Sequence, residues 1–237
     1  MDRGKTEYCH IVVAGGTGSR FGGDLPKQFR LLGERPVLMH TVERIRRWGR
    51  GGEVITVLSP EMRGYWQEEC RKYGFEAGRI VDGGATRWHS VRNALEAVPK
   101  SVKTVSVHDG ARPMIDGALM DRLLDAVERG ARAVVPAIEP SDSLRELTGE
   151  GGSRAVERSK FRMVQTPQVF DRDLLWRAYG AGYRPEFTDD ASVVEAFGEP
   201  VALVEGSKRN IKITYPWELE FLNFYFEKEI NKITDKR

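Results

Sequence analysis

The sequence predicts an α/β fold in which a mostly parallel sheet is covered by helices on both faces. Short apolar runs typical of buried strands, such as residues 10–14 and 133–138, alternate with longer segments whose apolar residues recur at helical spacing. The chain of 237 residues is 40% hydrophobic, which is enough to bury a substantial core. We therefore expect one domain over residues 1–237, with no internal repeat or linker.

The first half of the chain shows this alternation in order. Residues 10–14 predict the first strand, and a helix that Pro36 can open follows with Leu38, Val42 and Ile45 on one face. The next predicted elements are a strand at residues 54–58, a helix from Thr86, a strand at residues 104–107, a helix around residues 119–127 and a strand at residues 133–138. This order is the β-α-β-α pattern of a parallel sheet.

The pattern stops at about residues 139–162, where Pro140, three glycines and many charges leave few residues able to face a core. An insertion of this size is more often functional or an oligomer contact than a second domain. We predict a protruding arm or a mobile loop here. Beyond it, residues 201–204 and 210–214 predict short strands. A closing helix from Pro216 should turn four residues inward: Leu219, Leu222, Phe226 and Ile230.

Composition excludes several functional classes. The net charge of +2 gives no reason to expect nucleic acid or an anionic membrane as a partner. Cys9 and Cys70 have no spacing suited to zinc or a disulfide framework, and we expect them to be buried structural thiols. The polar N-terminus precedes an apolar run too short for a signal peptide or a membrane span, so a cytoplasmic location is expected.

A glycine-rich loop follows the first strand. Gly15, Gly16 and Gly18 allow a sharp turn whose N–H groups can approach an anion, and phosphate is the natural ligand. Arg20 and Lys27 flank the glycines, where they would strengthen binding of a polyphosphate. The spacing is that of neither a Walker A motif nor the dinucleotide fingerprint. A purely structural turn remains an alternative at this point.

Six blocks from residue 14 to residue 214 carry a resemblance to a known family. They are AGGTGSRFGGDLPKQF, GGATRWHSV, VHDGARP, QTPQVF, FTDDASVVE and NIKIT. Together they resemble the 2-C-methyl-D-erythritol 4-phosphate cytidylyltransferases of the non-mevalonate isoprenoid pathway. The resemblance implies a Rossmann-like three-layer α/β/α nucleotidyltransferase fold, a homodimer, magnesium, CTP as the nucleotide donor and release of pyrophosphate.

The resemblance also implies roles for individual residues. Arg20 and Lys27 match stabilisers of the transition state, and Arg158 and Lys212 match residues that position the acceptor, with Arg158 reaching the partner's site. Positions matching CTP contacts are Ala14, Gly15, Gly16, Thr17, Gly18, Gly83, Gly84, Ser90 and Asp109. Positions matching acceptor contacts are Asp109, Arg112, Ser143, Thr166 and Thr188.

Magnesium would be held mainly by the triphosphate, because the four histidines have no spacing that suggests a metal cage. Asp109 is the best candidate for one protein ligand. Gly110 stands where the family usually has alanine, and we expect it to widen the nucleotide pocket slightly.

Three other functions are compatible with parts of this pattern. A sister cytidylyltransferase that activates ribitol 5-phosphate shares the glycine loop and the TPQ block, but residues 109–112 and 188–192 favour methylerythritol phosphate as the acceptor. A catalytically idle scaffold is disfavoured by the presence of all four expected cations. A Rossmann oxidoreductase is disfavoured because Phe21 replaces the third glycine of its fingerprint.

Overall fold

The computed structural model describes residues 7–16 and 21–234, with side chains as far as Phe226. Within these residues the strands are β1 Tyr8–Ala14, β2 Leu31–Leu32, β3 Arg35–Pro36, β4 Glu53–Leu58, β5 Arg79–Asp82, β6 Thr104–Asp109, β7 Ala133–Ile138, β8 Arg145–Gly149, β9 Gly152–Ala155, β10 Met163–Val164, β11 Gln168–Asp171 and β12 Ala202–Glu205. The helices are α1 Val37–Trp48, α2 Arg63–Lys72, α3 Arg87–Ala97, α4 Gly117–Glu128, α5 Arg172–Gly180, α6 Asp190–Ala196 and α7 Pro216–Thr234.

Eight strands form one sheet in the order β10-β7-β11-β6-β1-β4-β5, with β12 paired to β7. The pairs β1/β4, β1/β6, β4/β5 and β12/β7 are parallel, whereas β11 is antiparallel to both β6 and β7. Parallel pairing brings the carboxyl ends of β1, β4, β5 and β6 to one edge of the sheet. That edge is where open α/β sheets bind ligands.

Side chains of the central strands alternate between two cores. Cys9 and Ile11 of β1 pack with α3, α5 and α6, whereas Val12 and Ala14 pack with α1, α2 and α4. Strand side chains point to opposite faces in turn, so one buried strand supplies both helical layers. This arrangement confirms the predicted three-layer α/β/α fold with a mostly parallel sheet.

Helix ends in the structure follow local capping chemistry. Thr86 and Asp116 each accept a hydrogen bond from a backbone N–H in the first turn, so α3 and α4 begin immediately after them. Helix α1 begins directly after Pro36, as predicted. In α7, Leu222 is buried and Leu219 and Phe226 pack against a third, smaller core; the side chain of Ile230 lies outside the described ones.

The strand predicted at residues 210–214 is wrong. The segment joins no sheet. Hydrogen bonds from Ile213 N–H to the Ala111 carbonyl and from Asn210 Nδ2 to the Thr166 carbonyl help tie it to the core. A strand needs a neighbour with a row of free backbone groups, and this segment instead crosses the carboxyl edge of the sheet beside β6. That crossing carries Lys212 to the cavity described below.

The predicted arm contains a two-stranded hairpin made of β8 and β9. Every residue of both strands is exposed, and their hydrogen bonds pair them with each other. After a short 3-10 turn, Arg158–Lys160, the chain returns to the main sheet through β10. Within the described residues, no helix combines the length and the apolar character needed to cross a membrane.

Candidate active site

A cavity of about 670 Å³ opens at the carboxyl edge of the sheet. Its walls come from the segments that follow β1, β4, β5 and β6, because parallel strands end together there. Nine residues predicted from the sequence line it: Ala14, Gly15, Gly16, Lys27, Gly83, Gly84, Ser90, Asp109 and Lys212. Thr17, Gly18 and Arg20, which were also predicted, lie outside the described residues.

Gln28 holds the described part of the glycine loop in place. Its buried amide nitrogen donates to the carbonyls of Ala14, at 2.7 Å, and Gly16, at 3.0 Å. Phe29 next to it is buried against Tyr65 and Trp66. Lys27 begins the same 3-10 turn and lines the cavity. Sequence reasoning missed Gln28, because nothing in the sequence shows that this polar side chain is buried.

The turn from β5 to α3 forms the opposite wall. Ser90 Oγ accepts a hydrogen bond from Gly84 N–H and donates one to the Thr86 carbonyl, at 3.1 and 3.0 Å. A Cβ on Gly84 would lie 2.5 Å from the Cβ of His89, and one on Gly83 would lie 3.3 Å from the Leu58 carbonyl oxygen. The turn therefore requires glycine at Gly84 and leaves little room at Gly83.

A second cavity of about 260 Å³ adjoins the first. Arg112, Thr166 and Thr188, three predicted acceptor contacts, line it together with Gln165, Gln168 and Asp189. The two cavities share Arg87, Asp109 and Lys212. The larger compartment beside the glycine loop is thus joined to the smaller polar one. Three cations, Arg87, Arg112 and Lys212, surround the carboxylate of Asp109 at this junction.

Asp109 lies at the centre of this cluster. Its Oδ2 is 2.8 Å from Lys212 Nζ and 3.4 Å from Arg112 Nε, and its Oδ1 is 3.7 Å from Arg87 Nε. Burial alone would raise the pKa of Asp109, but Lys212, Arg87 and Arg112 outweigh it and hold that pKa far below its usual range. The carboxylate is therefore ionised, and it lies beside two cations, Lys212 and Arg112, that can also contact a phosphate group.

His108 fixes the backbone next to Asp109 without facing either cavity. Its Nε2 lies 3.1 Å from the Arg112 carbonyl, which can only accept, so Nε2 carries the proton. Nδ1 then accepts from the Thr166 hydroxyl, at 3.0 Å, and the Thr166 oxygen in turn accepts from Asp109 N–H. Burial lowers the pKa of His108 to about 4, so the ring is neutral at physiological pH.

Arg87 is a site residue that sequence reasoning missed. It follows the turn at residues 83–86, lines both cavities and makes a two-pronged ion pair with Asp190, at 2.9 and 2.7 Å. Asp190 is 0% exposed and also accepts from Tyr179 Oη, at 2.6 Å. Both partners stand in the recognised blocks GGATRWHSV and FTDDASVVE, but no spacing rule links positions 103 residues apart.

Two predicted residues lie on the arm, away from both cavities. Ser143 and Arg158 are exposed, and Arg158 Nη1 donates to the Ser141 carbonyl at 2.6 Å. The described chain therefore does not bring them to its own site. A contribution to the site of another subunit stays a prediction.

The described side chains offer limited ligands for a metal ion. No group of three or more His, Cys, Asp or Glu among them could hold one. Oδ1 of Asp109 makes only the longer contact to Arg87, so one carboxylate oxygen can face the larger cavity. This donor set fits a magnesium ion that takes most of its ligands from a nucleotide and water.

Comparison with known proteins gives a consistent picture. A protein-family model described as 2-C-methyl-D-erythritol 4-phosphate cytidylyltransferase matches residues 8–228. A protein of that name from Bacteroides fragilis is 48% identical over 212 residues, which cover 89% of this chain and 95% of the relative.

Solved structures agree in fold. The crystal structure of the Thermus thermophilus protein of that name is 35% identical, with a TM-score of 0.72, and the match covers 92% of this chain and 98% of the other. The 4-diphosphocytidyl-2C-methyl-D-erythritol synthase of Anaerococcus prevotii is 27% identical, with a TM-score of 0.80, and the match covers 94% and 99% of the two chains.

Proposed function

The chain belongs to the 2-C-methyl-D-erythritol 4-phosphate cytidylyltransferase family, and we propose that the two joined cavities carry out that family's reaction. The enzyme transfers CMP from CTP to 2-C-methyl-D-erythritol 4-phosphate, giving 4-diphosphocytidyl-2-C-methyl-D-erythritol and pyrophosphate for isoprenoid synthesis. The assignment of the CTP and acceptor subsites rests on the junction of the two cavities at Asp109. There a glycine-walled compartment meets a smaller one suited to an acceptor phosphate.

The larger cavity binds CTP in this proposal. Backbone groups of Gly15 and Gly16 face the phosphates, and the turn at Gly83 and Gly84 contacts the base and ribose, with Ser90 holding that turn. Lys27 neutralises charge on the phosphates as the transition state forms. Arg20, Thr17 and Gly18 lie outside the described residues, and the family resemblance alone supports a part for them in this subsite.

The smaller cavity binds the phosphate of the acceptor. Lys212 and Arg112 supply positive charge, and Thr166 and Thr188 supply polar contacts. An oxygen of that phosphate forms a bond to the α-phosphorus of CTP. The bond from the α-phosphorus to the bridging oxygen breaks, and pyrophosphate leaves with the electron pair.

No general base is required for this step. The second pKa of a phosphate monoester is about 6, so the attacking oxygen is already ionised at neutral pH. His108, whose two ring nitrogens are both engaged within the protein, is left with a structural role. Catalysis then consists of alignment and neutralisation of charge.

Four further features belong to the proposal. Magnesium would be held by the triphosphate with one oxygen of Asp109, and when bound it neutralises phosphate charge. A homodimer, in which Arg158 and Ser143 of one arm complete the partner's acceptor subsite, is supported by the exposure of both residues. We also propose one nucleotidyltransferase domain over residues 1–237, located in the cytoplasm. The free and buried thiols of Cys9 and Cys70 support that location.

Pyrophosphate release tests the proposal directly. Purified protein with CTP and magnesium should release pyrophosphate when 2-C-methyl-D-erythritol 4-phosphate is added, and mass spectrometry should find the cytidylated product. Ribitol 5-phosphate is the control acceptor and should give little release. If only ribitol 5-phosphate gave pyrophosphate release, ribitol 5-phosphate would be the acceptor. Absence of release with either acceptor would favour a catalytically idle scaffold.

A further inference from the structure

We infer that Arg87 is a positioning residue that sets the distance between the CTP and acceptor subsites. This inference rests on the function proposed above, and it assigns a role in that function to the ion pair between Arg87 and Asp190. Arg87 is the first residue of α3, directly after the turn assigned to the base and ribose. Asp190 is the first residue of α6, two positions after the acceptor contact Thr188. The pair therefore joins the wall of one subsite to the wall of the other.

The geometry of the pair leaves little freedom. Arg87 Nη1 and Nη2 donate to the two carboxylate oxygens of Asp190, at 2.9 and 2.7 Å. Such a fork fixes direction as well as distance, which a single charge contact does not. Arg87 Nε also faces Asp109 Oδ1 at 3.7 Å, so the same guanidinium lies beside the carboxylate at the cavity junction.

The acceptor end of this link is anchored to the core. The Tyr179 hydroxyl donates to Asp190 at 2.6 Å. Gln168 on β11 donates to the Asp189 carboxylate at 2.7 Å and accepts from Ala191 N–H at 2.9 Å. These bonds hold the start of α6 on both sides of Asp190. Movement of Thr188 relative to the sheet is thereby restrained.

A positioning role predicts a specific kinetic result. An error of about 1 Å in the placement of two reactants can cost about a hundredfold in rate, although each still binds. Arg87→Lys keeps the charge but loses the fork. We expect its kcat to fall by about 30- to 100-fold, with KM for CTP and for the acceptor within about threefold of wild type. Tyr179→Phe, which only loosens Asp190, should lower kcat by a few fold.

The matched control is Arg35→Lys. Arg35 makes the same two-pronged contact with Glu43, at 2.7 and 2.6 Å, but on the protein surface and away from both cavities. Its kcat should stay within about twofold of wild type. Thermal unfolding of every variant shows whether a loss of rate is only a loss of folded protein.

A second variant separates positioning from stability. Arg87→Gln alone leaves Asp190 buried without a counter-charge and can unfold the protein. The double variant Arg87→Gln/Asp190→Asn removes both charges, so it should regain much of the melting temperature while kcat stays low. Recovery of kcat together with stability would overturn the inference, as would Arg87→Lys with kcat within twofold of wild type. Failure of the wild type to release pyrophosphate would instead remove the proposed function and this inference with it.

Discussion

The cavity walls and the arm hold their site residues in opposite ways. In the walls, Asp109, Thr166 and Ser90 are buried. Asp109 N–H donates to Thr166 Oγ1, and Ser90 Oγ bonds the turn at residues 84–86. On the arm, β8 and β9 are exposed along their whole length, and Arg158 is bonded to Ser141 of the same arm. The core therefore fixes the geometry of the wall residues, but it does not fix that of the arm residues.

This difference indicates how the site divides between subunits. Groups that neutralise developing charge must be preorganised, and the ends of parallel strands provide fixed positions for them. An exposed hairpin contributes to a site only where it packs on something else. We therefore expect a substitution in the walls to inactivate the site of the subunit that carries it. A substitution in the arm should instead be rescued by the intact arm of a second subunit.

Lys27→Ala should have the largest effect on activity. Lys27 lines the CTP cavity at the start of the turn anchored by Gln28 and Phe29, so its removal takes a preorganised charge away without disturbing the core. Loss of such a stabiliser costs about 10²–10³ in kcat. Steady-state pyrophosphate release gives kcat, and thermal unfolding checks the fold. The control Lys100→Ala removes an exposed lysine near the opposite edge of the sheet and should change kcat by less than twofold. A small change in kcat for Lys27→Ala would contradict the proposed role of Lys27 in neutralising phosphate charge.

The wall should also make stability depend on pH. Burial lowers the pKa of His108 from about 6.5 to about 4. The hydrogen bond to the Arg112 carbonyl and the charge of Asp109 oppose this shift with smaller effects. Between these values the unfolded chain binds a proton that the folded protein does not. Stability should therefore fall as pH drops from 6.5 to 4, by about 3 kcal/mol for this group.

Urea unfolding at several pH values measures this loss. His10 is also buried with a lowered pKa, so it adds to the wild-type slope in the same direction. His108→Gln should therefore reduce the slope between pH 6.5 and 4 without abolishing it. Asp109 acts in a different window, because a lowered carboxylate pKa costs stability only below about pH 4. Equal slopes in the wild type and His108→Gln would show that His108 is not held neutral.

Arg158→Ala tests the arm. We expect kcat/KM for the acceptor to fall by about tenfold to a hundredfold, because a charged contact to a phosphate is lost. Mixing Arg158→Ala with Lys27→Ala subunits should restore part of the activity, since one of the two sites in a mixed dimer would then be intact. Arg154→Ala on the same hairpin, where Arg154 pairs with Glu146, is the control. Absence of recovery on mixing would place Arg158 in its own subunit's site.

The sequence predicted those parts of the fold that depend on local pattern. Residues 133–138 match β7, and α1 follows Pro36 and contains the predicted apolar positions Leu38, Val42 and Ile45, because buried strands and amphipathic helices leave a periodic signal. Helix α2 was missed, since Trp66 and Cys70 alone mark its buried face. Strand β11 was not predicted to run antiparallel between β6 and β7, because strand order depends on long-range pairing.

The site was predictable to the extent that its residues follow strand ends. Asp109 follows the strand predicted at residues 104–107, whereas Gly83 and Lys212 were assigned through the family resemblance, and the segment of Lys212 is not a strand. The hydrogen bonds and ion pairs of the site could not be predicted from the sequence. Arg87 and Asp190 meet only because α3 and α6 cover the same face of the sheet, and no local pattern encodes that contact.

Gly110→Ala should have the smallest effect, and it tests one expectation that the structure corrects. Gly110 does not widen the nucleotide pocket, because a Cβ there would point at Ala14 Cβ, Leu38 Cδ1 and the Val13 carbonyl oxygen, at 3.0 to 3.1 Å. Tight packing on a buried side chain and the backbone predicts a loss of about 1–2 kcal/mol in the free energy of unfolding. The preference for CTP over UTP should not change.

The control for this substitution is Gly64→Ala in α2, where an added Cβ meets nothing within 4 Å. Gly64 is in the first turn of α2, where alanine fits the helical backbone and reduces the conformational entropy of the unfolded chain, so this variant should gain about 0.4–1 kcal/mol. Urea unfolding gives both values, and pyrophosphate release with each nucleotide gives the preference. If Gly110→Ala sharpened selection of CTP while leaving stability unchanged, the position would face the pocket and not the core. The walls would then be less tightly fixed than their contacts indicate, and the contrast with the arm would weaken.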